Sequence, residues 1–241
     1  MREAAALFLR EATSRLDCPE ALVAHRVSGN TCLYFGDFAG AHQHFQKTVE
    51  LYDPARHGDF ASRFGQDPRA SAEIMGALTL WVLGRIDEAL PLADRALADA
   101  ESAAHAPTMA HALQWAAWLG LARCNPEAVA NHGQGLADIA SRYDLPAWWA
   151  GLAVFFQGWA KWSDGAEESN LAEMRRGIAI YREQGMVYLV PLSKRPWPKP
   201  KQAQARLMPG SSAWTTRSPR WRPLRPVGTK RRYTASAPRS C

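Results

Sequence analysis

Apolar residues along the first 190 positions recur at steps of three and four. Ile86, Ala89, Leu90, Ala93, Ala96 and Leu97 form one series, and Trp148, Leu152, Phe155, Phe156, Trp159 and Trp162 form another. Leu171, Met174, Ile178 and Tyr181 form a third. A 3.6-residue period puts each series on one face of a helix. No sustained alternation of period two is present, so the body is expected to be all-α. Gly36-Asp37, Gly84-Arg85, Asn125-Pro126 and Asp164-Gly165 each separate a pair of helical segments by a few residues. Such short connections force neighbouring helices into antiparallel hairpins. Asp67-Pro68 opens a helix with a capping acid and proline at its first position. Asp53-Pro54 closes the helix before it, because proline cannot continue the backbone ladder. The pattern predicts helices over 3–16, 20–35, 38–52, 68–83, 86–102, 107–123, 126–142, 146–163 and 167–184.

The hairpins share a register. Gly36-Asp37-Phe38-x-x-Ala41-x-x-x-Phe45-Gln46-Lys47 leads to Leu51 and a proline, and Gly84-Arg85-Ile86-Asp87-Glu88-Ala89 with Ala93 and Ala96 is a second copy. Pro126-Glu127-Ala128 with His132 and Gly135 is a weaker third, and Gly165-Ala166-Glu167-Glu168 with Met174 and Gly177 a degenerate fourth. Small residues sit where helix backbones approach and large ones fill the space between hairpins. This half-pattern resembles the second helix of a tetratricopeptide repeat. The turns at Gly36, Gly84, Arg123 and Gly165 are 48, 39 and 42 positions apart, against roughly 34 for a standard unit. Longer helices and an inserted segment from Tyr52 to Gln66 account for the excess. The expected fold is therefore a right-handed stack of antiparallel helical hairpins, a tetratricopeptide-like solenoid over residues 1–190.

One stretch narrows the resemblance. His25-Arg26-Val27-x-Gly29, Gly36-Asp37-Phe38, Leu51-Tyr52-Asp53-Pro54-x-x-His57 and Phe64-Gly65-Gln66-Asp67-Pro68 follow in order. This run is similar to the C-terminal repeat region of large bacterial signalling proteins, which join a nucleotide cyclase or DNA-binding domain to a P-loop ATPase. Ser28 departs from the pattern, which favours an apolar residue before the glycine. The resemblance implies a region that senses a partner or regulates the ATPase in cis. No G-x-x-x-x-G-K-[ST] loop occurs in the chain, so the ATPase domain of such a protein is absent, and no cyclase core is recognisable either.

Charge divides the chain. Residues 1–190 carry 16 basic and 23 acidic side chains, whereas residues 191–241 carry 13 basic and no acidic ones, with nine of the 16 prolines. The tail, 191–241, is expected to be disordered. Its composition switch also suggests a shifted reading frame. Moving the frame back by one base permits residues 194–202 to be read as Glu-Ala-Ala-Leu-Ala-Glu-Ala-Glu-Ala, a strong helix former. The alternative is a real basic arm, with Trp197, Trp214 and Trp221 interleaved for binding nucleic acid or another anionic surface. Sequencing the gene separates the two: an early stop in the alternative frame removes the frameshift reading. The helix 167–184 ends at Gln184-Gly185, and an apolar run after it breaks off. The body is thus expected to lack a polar cap and to self-associate.

Candidate chemistry is sparse. No apolar stretch reaches the ~18 residues of a membrane span, and the acid at Glu3 is unlike a signal peptide. Cys18, Cys32, Cys124 and Cys241 form no C-x-x-C pair, which points to buried free thiols in a reducing cytoplasm. His42 and His44 are two apart on one helix and do not share a face. His57 with Asp59 and Asp67 is explained as well by helix caps as by a site, so no metal ligand set is expected. No G-x-S-x-G elbow appears, no catalytic residue and no cofactor site is assigned, and no enzyme is expected. Trp81, Trp115, Trp148, Trp159 and Trp162 fall on the apolar stripes. Trp118 and Trp149 sit beside them, as candidate anchors for a protein or peptide partner or as packing between hairpins. An acidic body favours basic or polar partner segments.

Overall fold

The computed structural model describes residues 1–14, 18–165 and 167–186. Eleven helices and no strand occur among them: α1 (Arg2–Thr13), α2 (Ala21–Tyr34), α3 (Phe38–Leu51), α4 (Pro54–His57), α5 (Phe60–Phe64), α6 (Pro68–Val82), α7 (Ile86–Ser102), α8 (Ala106–Ala122), α9 (Pro126–Arg142), α10 (Ala147–Asp164) and α11 (Glu168–Glu183). The protein is all-α. The nine expected helices are present with ends shifted by three residues or fewer. The short α4 and α5 were not expected and fill the segment between Tyr52 and Gln66. The tail expectations lie outside the described residues.

Side-chain caps set the starts. The carboxylates of Asp37, Asp53 and Asp67 accept from the backbone N–H groups of Gly40, Ala55 and Ala70, and Asn125 Oδ1 accepts from that of Ala128. Each satisfies a donor that the first turn leaves open. At the far ends of α2, α6 and α8 the chain turns through left-handed residues: Gly36, Gly84 and, without glycine, Cys124. In each turn the following N–H reaches five residues back, from Asp37 to Cys32, Arg85 to Leu80 and Asn125 to Gly120, all at 2.9 Å.

These turns bring α2 against α3, α6 against α7 and α8 against α9, and α10 likewise lies against α11. The first helix of each later pair also touches both helices of the pair before it, so α6 meets α2 and α3, α8 meets α6 and α7, and α10 meets α8 and α9. The first helices are consequently buried almost all round, while α3, α7, α9 and α11 keep one wet face. One core cluster joins Leu113, Leu136, Phe155, Phe156, Trp159 and Tyr181 across α8–α11. A second joins Phe45, Ile74, Met75 and Leu119. Leu22, Val23 and Phe60 form a third. α10 and α11 pack closest of all. A methyl group added at Gly177 would stand 2.5 Å from the Gly151 carbonyl oxygen and 2.6 Å from the Phe155 nitrogen.

On α11, Ala172, Arg175, Arg176, Ala179 and Arg182 are exposed, and the apolar run expected to follow it lies outside the described residues beyond Met186. Cys18, Cys32 and Cys124 are free but half-buried rather than buried. Ser28 is buried with no partner for its hydroxyl, and Gly29 beside it accepts the Phe45 ring so closely that a Cβ would lie 2.7 Å from it. No helix among the described residues is long and apolar enough to cross a membrane.

Candidate functional site

The two tryptophans singled out as partner anchors do not come together. Trp149 is 3% exposed and stacks on Trp148 with ring centroids 3.7 Å apart. Trp118 is half-buried between the two larger core clusters, with its ring 5.5 Å from Phe155 and 5.0 Å from Phe156. Trp149 is enclosed by packing between hairpins, and Trp118 is packed there on part of its surface. Trp149 went astray because α10 lies between α9 and α11 and touches α8 as well. A helix enclosed on several sides buries more than one stripe, so periodicity alone does not rank Trp148 above Trp149.

The histidines also separate. His42 Nε2 lies 2.8 Å from Arg85 Nη1, and His44 Nδ1 lies 3.0 Å from His25 Nδ1 on α2. The last pair must share one proton, and burial lowers both pKa values. His57 Nδ1 accepts from the Asp53 N–H at 2.9 Å, and Asp67 is occupied as a cap. A cleft of about 290 Å³ opens among α1–α4, lined by Thr13, Cys18, His25, Lys47, Arg56 and His57 with several apolar residues. No group of three or more metal-ligating side chains exists among the described residues.

A polar seam crosses the first helices instead. Arg26 on α2, 8% exposed, donates from Nη1 to Gln66 Oε1 at 3.1 Å and to Ser71 Oγ at 3.5 Å on α6. Ser71 Oγ lies 3.0 Å from His111 Nε2 on α8. A guanidinium only donates, so the Ser71 hydroxyl accepts from Arg26 and gives its own proton to His111 Nε2. Burial first, and the charge of Arg26 second, push the His111 pKa down to about 3. The ring contacts His111–Trp115 and Trp115–Tyr34 close the seam back onto α2, at 6.1 and 6.4 Å. Helical spacing explains the grouping: Arg26, Asn30 and Tyr34 are successive fours, and His111, Gln114, Trp115 and Trp118 share one stripe.

Next to the seam, Asp67 ties α6 to α8. It takes the Ala70 N–H at 2.8 Å and the Tyr52 hydroxyl at 2.9 Å, while its own N–H donates to Thr108 Oγ1 at 2.8 Å. Thr108 Oγ1 lies 2.9 Å from His105 Nδ1. Burial and the neighbouring Asp67 carboxylate push the Tyr52 phenol up to about 12. On the opposite side of α6, the enclosed Glu73 carboxylate meets Arg69 at 3.3 Å and Arg95 at 3.1 Å, and burial raises its pKa.

Ser71 and His111 have the spacing of a nucleophile and its base, but the environment is wrong for that chemistry. Ser71 is 1% exposed in mid-helix, and a base with a pKa near 3 does not take a proton at neutral pH. What the seam offers is hydrogen bonding. Arg26 Nε, Asn30 Oδ1, Gln114 Oε1 and Trp115 Nε1 are all enclosed without a partner, and native interiors leave few such atoms.

No known protein family matches the sequence, and no solved structure matches it. One similar protein is an uncharacterized protein of Rhizobium meliloti (strain 1021). It is 28% identical over 193 residues, which is 78% of this chain. The chain spans 18% of that relative's length, so more than four fifths of the relative lies outside the shared stretch.

Sequence reasoning missed the seam, because its residues come from three helices. A signal was present nonetheless: His111 stands in a helix that is apolar but for Thr108 and Gln114.

Proposed function

We propose that residues 1–190 are a non-catalytic protein-interaction module, a right-handed tetratricopeptide-like stack of antiparallel helical hairpins. The observation that carries this reading is the order of helix contacts, with α2, α6, α8 and α10 touching in succession and α6, α8 and α10 each meeting both helices of the pair before. Stacked hairpins of this kind build an extended surface without any catalytic group. The enclosed seam of Arg26, Ser71 and His111 comes to the surface at the half-exposed Gln66. The relative's length supports a regulatory role inside a larger polypeptide, as in the cyclase and ATPase signalling proteins that the chain resembles. An array of short synthetic peptides tests the reading: a subset should bind saturably and compete with one another. Failure of any peptide to bind saturably removes it.

A further inference from the structure

Among the described residues, Arg26 is a buried cation with no carboxylate in direct contact. Nη1 donates only to the neutral oxygens of Gln66 and Ser71, and the Nε–H has no acceptor. Taking a guanidinium out of water is costly unless a carboxylate or a full set of acceptors replaces the lost solvent. The acid whose field reaches it is Asp67. Both oxygens of Asp67 are already engaged, by the Ala70 N–H and the Tyr52 hydroxyl. His111, the next group along, is neutral.

Gln66 differs from the other covers of the guanidinium. Ser71 and His111 are buried within helices, whereas Gln66 belongs to the α5–α6 connector and is half-exposed. A neutral amide oxygen on a surface connector therefore fills a place where a carboxylate oxygen would bind about twice as strongly. We propose that Arg26 is the docking point for an acidic side chain of a partner segment, which displaces the Gln66 amide and completes the seam. This rests on the interaction-module reading and names the chemistry of its partner. The net negative body opposes acidic chains at long range, so the seam selects one placed carboxylate rather than a run of acids.

Gln66→Glu supplies that carboxylate in cis. The variant should melt at a higher temperature than wild type and bind acidic array peptides on the order of tenfold to a hundredfold more weakly. Peptides selected by the wild-type chain should be enriched in Asp or Glu, and Arg26→Gln should lose that preference. If Gln66→Glu is no more stable than wild type, the proposal fails without any partner in hand. Bound peptides lacking acid enrichment, or binding Arg26→Gln equally well, overturn the proposal and leave the module reading intact. No bound peptide at all overturns both. Where Arg26→Gln does not fold, the two measurements on Gln66→Glu decide alone.

Discussion

The imidazole of His111 is enclosed against the Ser71 hydroxyl, with the Arg26 guanidinium beyond it, and its pKa is held at about 3. In the unfolded chain the same group takes up a proton as pH falls through about 6.5. Between those two values the unfolded state binds more protons, so stability present above the upper value is lost as pH falls. The slope is about 1 kcal/mol per pH unit for this one residue. His105 and His132 are shifted the same way by burial. His111→Gln should therefore flatten the fall in urea midpoint between roughly pH 6 and pH 4. A variant with the wild-type slope would show that His111 is not the group responsible. This residue also marks the limit of reading a single chain. Ser71 stands 45 positions from Arg26 and 40 from His111, and no local spacing links them. The caps at Asp37, Asp53, Asp67 and Asn125 were legible because each acts within three residues of itself.

Helices were legible wherever a period could be counted over several turns. α4 and α5 have four and five residues, too few to show one, so the segment between Tyr52 and Gln66 read only as an insertion. The helix ends carry a prediction of their own. Gly36 and Gly84 turn with φ of 80° and 79°, and Cys124 makes the equivalent turn at 51° with a side chain. A left-handed L-residue costs about 1–2 kcal/mol, some of which glycine's greater unfolded-state freedom offsets. Cys124→Gly should gain a few tenths to about 1 kcal/mol in chemical denaturation, and a loss would mean the half-buried thiol packs better than the turn is strained. The α10–α11 contact predicts the opposite sign. Gly177→Ala forces a methyl against the Gly151 carbonyl and the Phe155 backbone, and overpacking of this kind costs roughly 2–3 kcal/mol. Gly165→Ala, with nothing within 4 Å and φ of −147°, should stay within about 0.5 kcal/mol of wild type. Equal effects at the two glycines would contradict the close approach.

At the scale of the whole molecule, stability should vary along the chain because the contacts do. α8 meets α6, α7, α9 and α10, whereas α1 packs chiefly on α2 and α11 chiefly on α10. In an array where each unit leans on its neighbours, a terminal unit loses one interface and opens first. Burial follows the same gradient: twelve residues of α8 are buried, against two in α1 and four in α11. The Asp67–Thr108 bond and the Arg26–Ser71–His111 chain add polar ties across α2, α6 and α8, away from the ends. Native-state hydrogen exchange should therefore protect amides of α8 and of the facing sides of α6 and α10 most strongly. α1 should exchange fastest among the long helices, and α11 should lie between, held by its close glycine contact with α10. Raising urea below the unfolding transition should merge α1 and α11 with solvent exchange before α8 responds. The same protection for all long helices, collapsing together, would instead mean one cooperative unit. The additive picture of stacked hairpins would then be wrong for this chain, even with every helix in its place.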